Sequence, residues 1–273
     1  MCPMHPEHLS GIGPPRPRGS QTNLTPEQTP PGRDDVRPPG STPGVHTEQN
    51  VLLGELPPRE AELLLPRLQR ITFGDGEVVR AAGEPITALH FPETAIVSWV
   101  LVPGPGRRSV DAATIGCEGV LGVQHILGGQ PGREALVTRV AGTALRIGAA
   151  DFDRLTPAVP ALIRRVGRYA ASLLGQMAQT ALCVQSHTIE QRLAGLILSI
   201  VDRDGREPVM VTHEQLGLML GIRRPGITHV AAILRERGLV EYRRGRVTVT
   251  DHAGLTAAAC DCHRVIDSGR ERQ

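Results

Sequence analysis

The chain has 273 residues, 40% hydrophobic and 21% charged, with a formal net charge of +2, the balance of a globular protein of about two domains. It contains no lysine, so all 30 cationic side chains are arginine, which excludes a Walker-type phosphate loop, a pyridoxal Schiff base, a kinase-type catalytic lysine and a Ser-Lys dyad. Six aromatic residues (Phe73, Phe91, Trp99, Phe152, Tyr169, Tyr242) are too few for a base-stacking platform.

Residues 1–48 hold 11 of the 23 prolines and no apolar period. Such a segment buries too little surface to offset its ordering entropy, and we expect a disordered tail. From Leu52 to Leu68 leucines recur in a short helical stretch broken by Pro57 and Pro66. Seven β-type runs follow: Ile71–Phe73, Glu77–Arg80, Ala88–Phe91, Ala95–Val102, Ser109–Ile115, Ala135–Val140 and Thr143–Ile147. Turn residues separate them at Gly74-Asp-Gly76, Gly83-Glu-Pro85, Pro103-Gly-Pro-Gly106, Gly128-Gly129 and Pro131-Gly132. Many short strands at this spacing point to a barrel or jelly roll.

A long helix comes next, with Pro157 and Pro160 at or before its first turn. Leu162, Val166, Tyr169, Leu173, Met177 and Ala181 recur at three- and four-residue steps. This stripe reads as a dimer seam, or as the face by which the helix packs on its own domain. A second helical run, Ile189–Val201, ends at Asp202-Arg-Asp-Gly205, which fits a polar turn better than a calcium loop.

The sharpest motif lies between Thr212 and Leu234. Thr212 caps a first helix with Leu216 and Leu220 inside, Gly217 is small where a second helix crosses, and Gly221 stands at a turn needing positive φ. Ile222 plugs the turn, Pro225 starts a second helix, and Ile227, Val230 and Leu234 line its inner face. These constraints together spell helix-turn-helix. The outward face carries Arg223, Arg224, Gly226, Thr228 and His229, placed to meet base edges and phosphates in a major groove. Leu239–Thr250 alternates around Gly245 as a hairpin wing with Arg243, Arg244 and Arg246 at its tip. From Ile222 to Arg246 seven arginines face two glutamates, a local excess of five positive charges suited to phosphate. Thr212 and His213, at the start of the first helix, complete the candidate DNA-binding set.

The order of parts resembles the Crp/Fnr family of bacterial transcription regulators. The resemblance runs from Leu52 to Arg264 and is densest after Met177: Gln176-Met-Ala-Gln-Thr-Ala-Leu-Cys183, His187-Thr-Ile-Glu-Gln-Arg-Leu193, Leu220-Gly-Ile-Arg-Arg224, Gly238-Leu-Val240 and Arg246-Val-Thr-Val-Thr-Asp251. It implies an α+β chain: a tail (1–48), a cNMP-binding-like β jelly-roll sensor domain (49–156), a dimerisation helix (157–185) and a winged helix-turn-helix domain (186–273). It also implies a homodimer on a palindromic double-stranded DNA operator, and contact with RNA polymerase if the protein is an activator. Two departures matter. On the recognition helix Arg224 matches the family's first Arg, but Pro225 replaces a Glu and His229 a second Arg. In the sensor, Ile115-Gly-Cys-Glu-Gly-Val-Leu-Gly122 lacks the ribose-binding Gly-Glu, and Ala135 takes the phosphate-binding Arg position with Arg133 two residues away. The effector is therefore unknown and not expected to be cyclic AMP.

Other chemistry is set aside. His213-Glu214 lacks the second His of a zinc-protease motif, and Gly74-Asp-Gly76 lacks the third glycine of a dinucleotide loop. Five scattered cysteines (Cys2, Cys117, Cys183, Cys260, Cys262) suggest reduced thiols. Cys2 and Cys117 do not reproduce the family's iron–sulfur ligands. Cys260-Asp-Cys262-His263 has no partner pair at finger spacing and reads as free thiols on a terminal helix. No metal, cofactor or enzymatic activity is expected. No apolar run approaches the ~20 residues of a bilayer span, and no signal-peptide pattern is visible, so a cytoplasmic chain without a membrane partner is expected. Two rivals remain: a ligand- or redox-sensing module whose C-terminal domain docks protein rather than DNA, and a hydrolase or metalloenzyme on the barrel.

Overall fold

A computed structural model describes residues 49–102, 109–129, 132, 134–204 and 208–264. The tail expected over 1–48, the break at Pro103–Gly106, Pro131, Arg133 and Gly205 lie outside these described residues.

The chain opens with α1 (Val51–Gly54) and α2 (Pro58–Leu64), whose Leu52, Leu53 and Leu64 are buried. Seven strands follow: β1 (Gln69–Phe73), β2 (Val78–Arg80), β3 (Ala88–Pro92), β4 (Ile96–Leu101), β5 (Val110–Ile115), β6 (Glu134–Val140) and β7 (Gly142–Gly148). They form two antiparallel sheets, ordered β1-β7-β3 and β2-β6-β4-β5. Phe73, Leu89, Phe91 and Leu145 of one sheet share a core with Val97, Ala113, Ile115 and Leu136 of the other. This is the expected jelly-roll-like layer pair, with alternate residues pointing inward. Two short helices interrupt it, α3 (Val123–Ile126) between β5 and β6 and α4 (Ala149–Leu155) after β7.

The long helix α5 runs Pro160–Ser186. Its first turn is capped from a distance: the buried Glu60 carboxylate accepts from the backbone N–H groups of Ala161 at 2.9 Å and Leu162 at 3.0 Å. A carboxylate there meets both the free donors and the positive end of the helix dipole. The expected seam needs correcting. Leu162, Val166, Tyr169 and Leu173 are buried in the protomer's own core, and Met177 packs against it. Only Ala181 of the six is exposed. A barrel that must cover its open side claims the most apolar face of the adjacent helix. The outward stripe is Gly167, Ala171, Leu174, Gly175, Ala178 and Leu182.

The C-terminal part contains α6 (Ile189–Asp204), β8 (Val209–Met210), α7 (His213–Leu220), α8 (Arg224–Glu236), β9 (Val240–Arg243), β10 (Arg246–Val249) and α9 (His252–Ala258). Strands β8-β10-β9 make a third antiparallel sheet. Its core joins Leu193, Ile197, Leu216, Ile227, Leu234 and Val247, and reaches Ile96 and Val140 of the β-domain. The helix α6 extends through Asp202 and Asp204 rather than ending before them. Among the described residues no helix is long and apolar enough to cross a membrane.

Candidate nucleic-acid interface

Thr212 caps α7 in a capping box: its hydroxyl accepts from Gln215 N–H at 3.2 Å, while the Gln215 side chain accepts from Thr212 N–H at 2.6 Å. Gly221 ends the helix at φ +68°, a conformation most side chains resist. Gly217 is required by contact: a Cβ there would lie 2.7 Å from the Ile222 carbonyl oxygen. The turn therefore closes as the sequence implied. Arg223 is the N-cap of α8, so Pro225 occupies the second helical position rather than the first. Ile227, Val230 and Leu234 are buried beneath it.

The opposite face is open. Arg223, Arg224, Thr228 and His229 are exposed and Gly226 is half-buried. His213 is half-buried between the helices and the wing: its Nδ1 shares a hydrogen bond with Thr228 Oγ1 at 3.1 Å, and its ring meets Tyr242 edge-on at 4.8 Å. Burial, then the Arg224 charge, lower its pKa below the ordinary histidine value. His213 and Thr228 thus orient the helix pair and the wing as well as facing outward.

The wing turns through Arg244 and Gly245, both at positive φ (49° and 77°), with Arg243 paired to Arg246 in register. This is the two-residue hairpin geometry that matches strand twist. Arg243 is held by Glu241 at 2.7 Å, whereas Arg244 and Arg246 stand exposed. Arg223, Arg224, Arg244 and Arg246 make no ion pair among the described residues. Unneutralised guanidinium groups on one side of a helix-turn-helix are what a phosphate backbone attracts.

Two buried ion pairs lie in and beside the segments compared above with a nucleotide pocket. Glu118 meets Arg203 of α6 at 3.1 Å. Arg80, beside the Ala135 strand, donates to Glu134 at 2.9 Å with both side chains buried. Burial opposes the Glu134 charge, yet the Gly132 N–H and Arg80 outweigh it and hold the carboxyl below its ordinary range. A cyclic phosphate would meet no free buried guanidinium in either pair, and an unpaired buried anion is strongly disfavoured.

Residues 191–258 match the Crp-like helix-turn-helix domain. Solved structures repeat the whole layout. FixK2 of Bradyrhizobium japonicum aligns at TM-score 0.61 and 14% identity over 71% of this chain and 98% of its own. TTHB099, a Crp-family regulator of Thermus thermophilus, aligns at 0.57 and 21% over 69% and 96%. The c-di-GMP-responsive regulator CLP of Xanthomonas campestris aligns at 0.56 and 16% over 70% and 98%. The chain has the architecture of a Crp/Fnr-type regulator. No curated protein matches the chain. Strands β1–β7 repeat the N-terminal fold of these structures, and the helix-turn-helix lies within the matched Crp-like domain.

Two groups escaped sequence reasoning. Gln215 was signalled by the Thr-x-x-Gln spacing, and it also donates to the Arg139 carbonyl at 2.8 Å and to Asp75, docking α7 on the β-domain. Cys183 and His187, four residues apart, are brought against Cys260 and Cys262. Their i, i+4 spacing was the available signal.

Proposed function

We propose that the protein is a cytoplasmic, homodimeric transcription regulator without enzymatic activity, binding a two-fold-related DNA operator, its effector unknown and not expected to be cyclic AMP. The observation that carries this reading is the open N-terminal end of α8, with Arg223 and Arg224 unneutralised and Arg244 and Arg246 beside them on the wing. Arginine reads guanine O6 and N7 through two hydrogen bonds, worth ~1–3 kcal/mol against a wrong base. The wing arginines and Thr212 serve phosphates. The division into tail, sensor, dimer helix and DNA-binding domain belongs to this reading, as does RNA polymerase contact if the protein activates.

The homodimer rests on the outward stripe of α5. Gly167, Ala171, Gly175 and Ala178 let two helices approach closely, and Leu174 and Leu182 supply apolar area. Two recognition helices related by a two-fold axis would meet half-sites about one helical turn, ~34 Å, apart. Selection of bound fragments from random DNA with the purified chain tests this. An inverted repeat, bound more weakly as salt rises, is the expected result. Enrichment of no sequence, with affinity indifferent to salt, would favour a C-terminal domain that docks protein.

A further inference from the structure

Cys183 lies in the last turn of α5, and His187 caps the helix, its backbone N–H donating to the Cys183 carbonyl. After α9 the chain returns through Cys260 and Cys262 to the same place. Cys183 Sγ lies 3.6 Å from Cys260 Sγ, and Cys262 Sγ lies 3.4 Å from His187 Nδ1. All four donor atoms lie within 4.8 Å of one another. The two C-terminal cysteines are buried, and Cys183 and His187 are half-buried. Donors bound at about 2.3 Å (sulfur) and 2.0 Å (nitrogen) in a tetrahedron sit roughly 3.5–3.8 Å apart. A disulfide needs about 2.05 Å and would leave the third thiol and the imidazole unexplained. The four donors are also too close together to span the several irons of a cubane cluster.

We propose that Cys183, His187, Cys260 and Cys262 form a tetrahedral site for one zinc-class divalent cation, tying the end of α5 to the C-terminal end of the DNA-binding domain. Three thiols lose their protons to solvent as three metal–sulfur bonds form, and neutral imidazole binds through Nδ1. The site is left with one negative charge, facing a cleft that Arg192 also lines. Gln179 Nε2 points at Cys262 Sγ from 3.0 Å, an outer partner suited to a thiolate. His263 is not a fifth donor by this geometry, because its Nδ1 donates to the Cys260 carbonyl at 2.6 Å. The thiolate is the form that ligates, so cation binding and deprotonation of the three thiols are coupled.

The test is a titration of the reduced, metal-stripped full chain with cobalt(II) under anaerobic conditions, followed by zinc. Saturation at one equivalent is expected, with the visible bands of tetrahedral cobalt, sulfur-to-cobalt charge transfer and displacement by zinc. Zinc should also raise the melting temperature. Cys262→Ser and His187→Ala should each weaken cobalt binding more than tenfold, while Cys117→Ser leaves it unchanged. Absence of saturable one-to-one uptake by the native chain overturns the site whether or not any variant folds. So does full-strength uptake by a folded His187→Ala or Cys262→Ser protein.

Discussion

Glu118 of the β-domain and Arg203 of α6 meet at 3.1 Å with only 6% and 3% of their side chains exposed. Arg203 also reaches the Ser199 hydroxyl, and Glu118 accepts from Gly116 N–H at 3.1 Å. The pair therefore joins the segment after β5 of the β-domain to α6, the helix that precedes the helix-turn-helix. A buried charge left without its partner is costly, about 3–5 kcal/mol when one side is removed. Arg203→Ala should lower unfolding free energy by about 3 kcal/mol. Changing both residues to apolar ones of similar size should restore most of that loss. Urea unfolding of the two singles and the double measures the coupling, and additive losses would show that the contact carries none.

Arg224 and Arg244 should fail differently. Arg224, at the first turn of α8, is placed for a base edge, so Arg224→Ala should relax preference at one operator position by ~1–3 kcal/mol. Arg244, at the wing tip, is placed for phosphate. Arg244→Ala should weaken every sequence alike and reduce the salt slope by about 1. Arg244 also holds φ 49°, the sole positive φ outside glycine among the described residues. Arg244→Gly should therefore stabilise the fold by about 0.5–1 kcal/mol while losing the same DNA contact. Binding isotherms on matched and single-mismatch duplexes at two salt concentrations separate the roles, and identical profiles would erase the distinction.

Local rules carried much of this structure into the sequence. Thr212, Gly217 and Gly221 each answer to a cap, a close approach or a turn within ten residues, so the helix-turn-helix was legible. The strands of the β-domain were legible as short β-type runs set apart by glycine- and proline-bearing turns. What escaped depends on contacts across long stretches of chain. Nothing near Leu162 or Tyr169 says whether an apolar stripe meets its own barrel or a second copy, and here the barrel took it. Cys183 and Cys260 are 77 residues apart, and Glu118 and Arg203 are 85. No spacing rule reaches that far.

His90 in β3 gives the β-domain an acid sensitivity. Burial, then the charge of Arg146 opposite it in register, lower its pKa to about 4, and its ring meets Phe73 edge-on at 5.5 Å. In the unfolded chain the same group protonates near its ordinary 6.5. Below that pH the unfolded state binds more protons, so acid favours unfolding. The stability is complete above about pH 6.5 and is lost as pH falls toward 4, up to about 3 kcal/mol at ~1.4 kcal/mol per unit. His90→Gln should flatten this slope in urea unfolding between pH 7 and 4. A slope unchanged by the substitution would assign the acid sensitivity to other groups.

The two faces of α5 predict opposite phenotypes. Leu174 is 69% exposed and Leu182 54%, on the stripe that also carries Gly167, Ala171 and Ala178. Leu174→Arg would set like charges against each other across a two-fold seam without entering the protomer's core. The expected product is a folded monomer by light scattering, with native melting behaviour and weakened operator binding, because its half-sites no longer bind together. Leu162 lies on the other face with no exposure. Leu162→Ala should cost about 2–5 kcal/mol of stability through the cavity it leaves, and leave the association of the remaining folded chains intact. A native chain that is monomeric at micromolar concentration, or a Leu174→Arg chain that stays dimeric, would place the seam elsewhere.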